Sequence, residues 1–121
     1  MTENRRTLII DDDLLSCQLL AEVLADVGID AEWTTNAMKG YELATQQPYV
    51  FILCDVCMPG MSGIELTMRL KQINPAIKIL LISGFADDSL VETARSLETP
   101  LLSKPFLPKQ LLATVQNLLQ S

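Results

Sequence analysis

The sequence predicts an α/β domain: a five-stranded parallel sheet, doubly wound, with helices on both of its faces. Five short apolar runs alternate with five longer segments that carry apolar residues at helical spacing. Such alternation is typical of parallel strands joined by right-handed crossovers. The runs at residues 8–10 and 50–53 are unbroken, as expected for strands buried on both faces. No repeat or linker interrupts the pattern, so residues 1–121 are interpreted as a single domain.

The predicted strands and helices are bounded by residues that commonly begin or end such elements. Strands are predicted at residues 8–10, 29–34, 50–53, 77–82 and 101–102, and helices at residues 14–27, 37–46, 64–73, 87–97 and 109–119. The first helix keeps its apolar spacing to Val27, and Gly28 is a common residue just after a helix. The second strand is more polar, which favours an edge position. Asn36 is expected to cap the second helix, and Pro48 to end it.

A tight turn is predicted after the third strand. Pro59, Gly60 and Gly63 force the chain to turn there. Ser62 with Glu65 three residues later has the pattern of a capping box, which marks the start of the third helix. The acidic residue Asp55 comes where the third apolar run stops, between strand and helix.

The second half of the chain is divided in the same way. Asn74–Pro75 ends the third helix, and Ser83–Gly84 closes the fourth strand. The fourth helix is expected to start at Asp87 or Asp88. The short fifth strand is followed by the letters S-K-P-F, and the last helix is amphipathic.

Composition excludes several classes of function. A hydrophobic fraction of 49% argues for a packed core and against disorder. The net charge of −6 without a basic stripe argues against direct nucleic-acid binding. The chain contains no histidine, which excludes histidine acid–base catalysis and histidine metal ligation. An odd number of cysteines, a polar segment at residues 1–7 and the lack of any membrane-length apolar run or visible signal peptide predict a cytoplasmic protein without membrane contact.

Polar side chains follow four of the predicted strands, where each strand ends. They are Asp11, Asp12 and Asp13 after the first strand, Asp55 after the third, Ser83 after the fourth and Lys104 after the fifth. The ends of parallel strands meet at one edge of the sheet. Carboxylates gathered there repel one another and need a cation, and oxygen ligands without histidine favour Mg²⁺. With the metal bound, a carboxylate can attack phosphorus, while an ammonium and a hydroxyl hold the transferred oxygens.

Each of these residues also has a structural interpretation when it is considered alone. Asp55 could simply cap a turn, and Asp13 could be only the N-cap of the first helix. Ser83 alone is an ordinary turn residue, and Lys104 alone an ordinary surface lysine. Their joint position at strand ends is what favours a functional site.

On four segments the sequence resembles the receiver domains of two-component response regulators. The segments are I-I-D-D-D (9–13), L-C-D-V-C-M-P-G-M-S-G (53–63), L-I-S-G (81–84) and S-K-P-F (103–106), and the resemblance extends from residue 8 to residue 119. It implies a flavodoxin-like sheet with strand order 2-1-3-4-5, Asp55 as phospho-acceptor, and Mg²⁺ held by Asp11, Asp12, Asp55 and the backbone carbonyl of Cys57. It also implies that Ser83 is the hydroxyl and Lys104 the lysine of the site, with a cis peptide bond before Pro105.

The resemblance implies a switch in a phosphorelay rather than an enzyme acting on other substrates. The phosphoryl donor would be the phosphohistidine of a sensor histidine kinase or a histidine phosphotransfer protein. Phosphorylation would change a surface formed by the fourth helix, fifth strand and fifth helix, which would bind a protein effector and could form a weak dimer. Leu14, Leu15 and Leu19 are either docking residues for the kinase or part of the core.

The chain departs from the receiver pattern at several positions. Ser83 replaces the more usual threonine, and Leu101 replaces the usual tyrosine or phenylalanine, which puts an aromatic read-out in question. Residues 96–100 lack the usual Gly-Ala, so the fourth helix could join the fifth strand differently. Cys57 and Phe85 flank the site and cannot orient an attacking water well, which predicts slow self-dephosphorylation.

Two other functions fit parts of the sequence. A haloacid-dehalogenase-like phosphatase would use Asp11 and Asp13, although a second acidic pair is missing. A thiol-redox module would use the C-x-x-C spacing of Cys54 and Cys57, but Cys54 ends a buried strand, whereas redox cysteines usually open a helix.

Overall fold

A computed structural model describes residues 6–120 and shows five strands alternating with five helices. The elements in chain order are β1 (Thr7–Ile10), α1 (Leu14–Ala25), β2 (Ala31–Thr34), α2 (Ala37–Gln46), β3 (Phe51–Asp55), α3 (Gly63–Ile73), β4 (Ile79–Ser83), α4 (Asp88–Ser96), β5 (Leu101–Ser103) and α5 (Pro108–Gln120). The strands form one parallel sheet in the order β2-β1-β3-β4-β5. The predicted fold class, strand order and edge position of β2 are confirmed.

The alternation of side chains along each strand produces two separate hydrophobic cores. Ile9 and Leu53 face the helices α1 and α5, with which they form one core. Leu8, Ile52 and Cys54 point to the opposite face and pack with residues of α2, α3 and α4. The central strands β1, β3 and β4 therefore have no polar face, which explains their continuous apolar sequences.

Side-chain caps begin four of the helices, as the sequence predicts. The side chains of Asp13, Asn36, Ser62 and Asp87 each accept a hydrogen bond from a backbone N–H in the first turn of α1, α2, α3 and α4. At α3 the Ser62 Oγ accepts from the N–H of Glu65 at 3.1 Å. The Glu65 carboxylate instead pairs with Arg69 at 2.7 Å, so no hydrogen bond of Glu65 back to the cap is seen.

Several predicted boundaries differ from the structure. Helix α1 ends at Ala25, and Val27 lies beyond it with 49% of its surface exposed. Gly28, with φ of +80°, follows in the turn that ends the helix. Strand β2 begins at Ala31 rather than at residue 29, and β4 at Ile79 rather than at residue 77. These ends depend on where tertiary packing stops, which hydrophobic spacing alone does not define.

The connection between α4 and β5 uses a residue in the left-handed conformation. Glu98 has φ of +53°. The N–H of Glu98 donates to the carbonyl of Arg95 at 2.9 Å, and the N–H of Thr99 donates to that of Ala94 at 3.0 Å. The chain thus closes α4 at a position where glycine is usual. The chain lacks the Gly-Ala pair that is usual here, and Glu98 takes the left-handed conformation in its place.

Residues 1–5, which form most of the polar N-terminal segment, and Ser121 lie outside the described residues. Within residues 6–120, every helix is too short or too polar to cross a bilayer. The peptide bond between Lys104 and Pro105 is cis, as the resemblance implied.

Candidate functional site

The sheet brings the ends of four strands to one edge. Strand β1 pairs with β3 so that Ile10 lies beside Cys54, which places the following residues, Asp11 and Asp55, next to each other. Strand β4 pairs with β5 so that Ser83 lies beside Ser103, one residue before Lys104. The N–H of Lys104 donates to the carbonyl of Ser83 at 2.8 Å. The predicted site residues on these strands therefore converge.

Three carboxylates form a compact group at this edge. Oxygen atoms of Asp11, Asp12 and Asp55 all lie within 4.8 Å of one another, a spacing that could hold a metal ion. Asp11 is 1% exposed and Asp55 7% exposed, whereas Asp12 is exposed to solvent. The group therefore has two buried carboxylates, Asp11 and Asp55, and one carboxylate, Asp12, that is exposed to solvent.

Lys104 completes the site as its cation. Its Nζ lies 3.4 Å from Oδ2 of Asp11 and 3.7 Å from Oδ1 of Asp55. One ammonium thus faces both buried carboxylates. Because a single positive charge cannot neutralise three carboxylates, the group retains negative charge that a divalent cation would balance.

Asp11 is fixed through both of its oxygens. While Oδ2 faces Lys104, Oδ1 accepts a hydrogen bond from the backbone N–H of Asp13 at 2.9 Å. The side chain of Asp13 turns away from the group and caps α1 by accepting from the N–H of Leu15 at 3.1 Å. The third aspartate thus has a structural role, and the phosphatase interpretation, which needs Asp13 beside Asp11 in the site, is not supported.

Asp55 is the carboxyl group whose protonation is most affected by this environment. Burial and, after it, the charge of Asp11 raise its pKa from 3.8 to about 6, although the charge of Lys104 acts in the opposite direction. Without a metal, burial and the neighbouring carboxylates therefore disfavour the ionised form of Asp55. A buried carboxylate with a raised pKa, beside other carboxylates, is typical of functional sites.

Ser83 lies at the end of β4 with 2% of its surface exposed. Its Oγ accepts a hydrogen bond from the backbone N–H of Phe85 at 3.0 Å. The hydroxyl hydrogen is not used in that bond and remains available as a donor. Phe85 itself is 75% exposed.

The cysteines do not form a redox pair. Cys54 is fully buried, and burial strongly raises the pKa of its thiol. Cys57 is exposed. A reactive cysteine is partly exposed and has a lowered thiol pKa, whereas Cys54 is buried and its pKa is raised. The redox interpretation of Cys54 and Cys57 is therefore not supported. The carbonyl of Cys57 as a metal ligand stays a prediction.

Gly63 has a role that its position in the sequence does not reveal. It was expected only to bend the chain, which is what Gly60 does with φ of +86°. Gly63 is instead the first residue of α3 and lies against the backbone of Asp55 and Val56. The signal in the sequence was a glycine directly after an N-cap, where a better helix former would be expected.

The leucines at the start of α1 are exposed. Leu14, Leu15 and Leu19 have 49%, 66% and 61% of their surfaces accessible, so the interpretation that they belong to the core is wrong. Leu101 is partly buried and packs with the core on the α2, α3 and α4 face.

A doubly wound α/β domain with a group of carboxylates and a lysine at the carboxyl edge of its sheet has the parts that a phospho-acceptor signalling domain needs. The comparisons with known proteins agree with this class. Residues 7–116 match the model of the response regulator receiver domain, and the chain belongs to that family. It is a receiver domain of a two-component response regulator.

Individual relatives match along most of the chain. The chain is 32% identical over 116 residues to the response regulator receiver protein CpdR of Brucella abortus, which covers 95% of the chain and 97% of that protein. It is 29% identical over 118 residues to the transcriptional regulatory protein ZraR of Escherichia coli K12, which covers 97% of the chain but only 27% of that protein.

Solved receiver structures have the same fold. A receiver domain from Methanospirillum hungatei superposes with a TM-score of 0.91 at 24% identity, covering 98% of this chain and 95% of the other. A regulator from Chloroflexus aurantiacus gives a TM-score of 0.90 at 25% identity, covering 98% of this chain and all of the other (100%).

Proposed function

We propose that Asp55 accepts a phosphoryl group from the phosphohistidine of a partner protein, a sensor histidine kinase or a histidine phosphotransfer protein. The observation that carries the proposal is the convergence of Asp11, Asp12 and Asp55 within 4.8 Å, with the Lys104 ammonium beside Asp11 and Asp55. Residues 1–121 contain no histidine, so the donor histidine lies outside them.

The donor set fits Mg²⁺. It consists of carboxylate oxygens, which this ion prefers, and it is more negative than Lys104 can balance. We propose that Asp11, Asp12, Asp55 and the carbonyl of Cys57 hold the ion. When bound, Mg²⁺ would neutralise charge on the phosphoryl oxygens and keep Asp55 ionised.

The chain's own residues would carry out the transfer. A carboxylate oxygen of Asp55 attacks phosphorus, the bond from phosphorus to the donor nitrogen breaks, and the imidazole leaves with the electron pair. Lys104, already 3.7 Å from Oδ1 of Asp55, pairs with the arriving charge. The Ser83 hydroxyl donates to a phosphoryl oxygen. No other substrate is turned over; the domain catalyses only its own phosphorylation and dephosphorylation.

The hydrogen bond between Ser83 and Phe85 suggests how the modification is communicated. If the Ser83 side chain rotates so that its hydroxyl reaches a phosphoryl oxygen, Oγ moves away from the Phe85 N–H, from which it now accepts a hydrogen bond, and that bond weakens. The loop that follows β4 is then freed to move. This loop leads into α4, and we propose that α4, β5 and α5 form the surface read by a protein effector or by a second copy in a weak dimer.

Other partner expectations remain part of the proposal. The exposed Leu14, Leu15 and Leu19 at the start of α1 would contact the phosphoryl donor. A cytoplasmic location is expected, because a histidine kinase presents its phosphohistidine there.

Incubation with acetyl phosphate and Mg²⁺, followed by mass spectrometry, tests the proposal. We expect one hydroxylamine-labile phosphoryl group on the wild type and none on Asp55→Asn. Asp13→Asn is the matched control, because it removes a nearby carboxylate outside the group and keeps a capping side chain; it should be labelled like the wild type. Labelling that survives Asp55→Asn but is lost in Asp11→Asn would instead favour the phosphatase interpretation.

A further inference from the structure

We infer that Gly63 is a positioning residue for Asp55: its missing side chain lets the first turn of α3 pack directly on the backbone that carries the phospho-acceptor. The inference rests on the proposed function of Asp55. A methyl group placed on Gly63 would lie 2.3 Å from the carbonyl oxygen of Asp55 and 2.9 Å from the Cα of Val56. Both distances are far shorter than the separation at which such atoms attract.

The peptide after Asp55 cannot easily move away from this contact. The carbonyl of Val56 accepts a hydrogen bond from the N–H of Gly63 at 2.8 Å, and the N–H of Val56 donates to the carbonyl of Ile82 at 2.9 Å. The backbone is thus held between α3 on one side and β4 on the other. Any side chain at Gly63 must break one of these bonds or displace the end of β3.

A displacement of β3 at this point would move the Asp55 carboxylate. That carboxylate lies 3.7 Å from the Nζ of Lys104 and within 4.8 Å of carboxylate oxygens of Asp11 and Asp12. It has to stay close to all three for the site to work. In reactions that depend on orientation, a misplacement of about 1 Å can lower the rate about 100-fold. The contact with Gly63 therefore sets the geometry of the site rather than only the packing of the helix.

A second glycine provides a matched control. Gly40 in α2 is also buried and helical, and a methyl group on it would meet side-chain carbons of Ile10 at 2.7–2.9 Å. There the crowded atoms belong to a side chain and not to the backbone of the site. Alanine forms helices better than glycine, so any harm done by either substitution comes from crowding.

The test compares Gly63→Ala and Gly40→Ala in the full chain, with acetyl phosphate as the donor and a series of Mg²⁺ concentrations. Both variants are expected to melt at a lower temperature than the wild type. Gly63→Ala should be phosphorylated at least about tenfold more slowly and need more Mg²⁺ for half-saturation, whereas Gly40→Ala should stay within about threefold of the wild type. Equal rates for Gly63→Ala and the wild type would overturn the inference, as would an equal loss in both variants.

If Gly63→Ala does not fold, the N-cap of α3 provides the deciding measurement. Ser62→Ala removes the hydroxyl that caps the first turn and adds no atom near Asp55, and Ser62→Thr keeps a capping hydroxyl. We expect slower phosphorylation only in Ser62→Ala; a wild-type rate there overturns the inference. Absence of labelling in the wild type would instead overturn the proposed function of Asp55, and the present inference with it.

Discussion

Replacing Asp55 with asparagine should stabilise the metal-free protein. The structure buries this carboxyl beside Asp11, and its pKa rises from 3.8 to about 6. At about 1.4 kcal/mol per pKa unit, the folded state is about 3 kcal/mol less stable when Asp55 is ionised than when it is protonated. Asparagine has nearly the same shape and no charge, so Asp55→Asn should gain about 3 kcal/mol at pH 7.5, or about 10 °C in melting temperature.

The size of this effect depends on pH in a defined window. A carboxyl whose pKa is raised on folding favours the folded state below its ordinary pKa of 3.8 and loses that effect as the pH passes about 6. The stability difference between Asp55→Asn and the wild type should therefore be small at pH 4, grow between pH 4 and 6, and be constant above pH 7.

Urea denaturation followed by circular dichroism, from pH 4 to 8 in the presence of EDTA, measures this difference. Asp13→Asn is the control, because the Asp13 side chain is an exposed cap rather than a member of the carboxylate group, and its stability should change by less than about 0.5 kcal/mol. Mg²⁺ at about 100 times its dissociation constant should stabilise the wild type by about 2.7 kcal/mol and nearly close the gap. An Asp55→Asn protein no more stable than the wild type at pH 7.5 without metal would refute the reasoning.

Three further predictions concern the surroundings of the site. Glu98→Gly should stabilise the protein by about 1 kcal/mol in the same urea assay, because φ of +53° disfavours every residue that carries a Cβ; an unchanged midpoint would contradict this. Cys57→Asn and Phe85→Glu should each shorten the lifetime of the phosphorylated protein, because their polar groups can orient an attacking water, and a short wild-type lifetime that neither change alters would count against slow self-dephosphorylation. Thiol titration should detect only Cys57 rapidly in the native protein, because burial raises the pKa of Cys17 to about 11 and that of Cys54 further; fast reaction of two thiols would show that the buried state is wrong.

The sequence predicted the fold well because its strongest signals depend on burial. The central strands have no polar face, so their apolar runs are unbroken, and the residues after them fall at one edge of the sheet for reasons of topology alone. The convergence of Asp11, Asp55 and Lys104 could be predicted in this way. The end of α1 and the start of β2 could not, because those boundaries depend on contacts such as the hydrogen bond from the N–H of Ile29 to the carbonyl of Leu24 at 3.0 Å.

Close approach between backbones also escapes sequence analysis. Gly60 and Gly63 look alike in the sequence, three residues apart in one loop. The first has a positive φ and open space where a Cβ would lie, whereas the second lacks room for a methyl group. Gly60 is needed for its positive φ and Gly63 for the close contact between α3 and the end of β3, and only the packing in the structure distinguishes the two.

The three consecutive aspartates show where local pattern stops being informative. Asp11 is buried and bound to Lys104, Asp12 faces the opening, and Asp13 caps α1. The sequence offers three identical side chains, and it left open whether Asp13 belongs to the site or only caps α1. Their roles are separated by a partner 93 residues away in the chain and by the direction in which the backbone leaves β1. The backbone N–H of Asp13 donates to the Asp11 carboxylate, while the Asp13 carboxylate caps α1. Asp13, which is outside the proposed metal site, therefore fixes the orientation of Asp11, which is a proposed ligand.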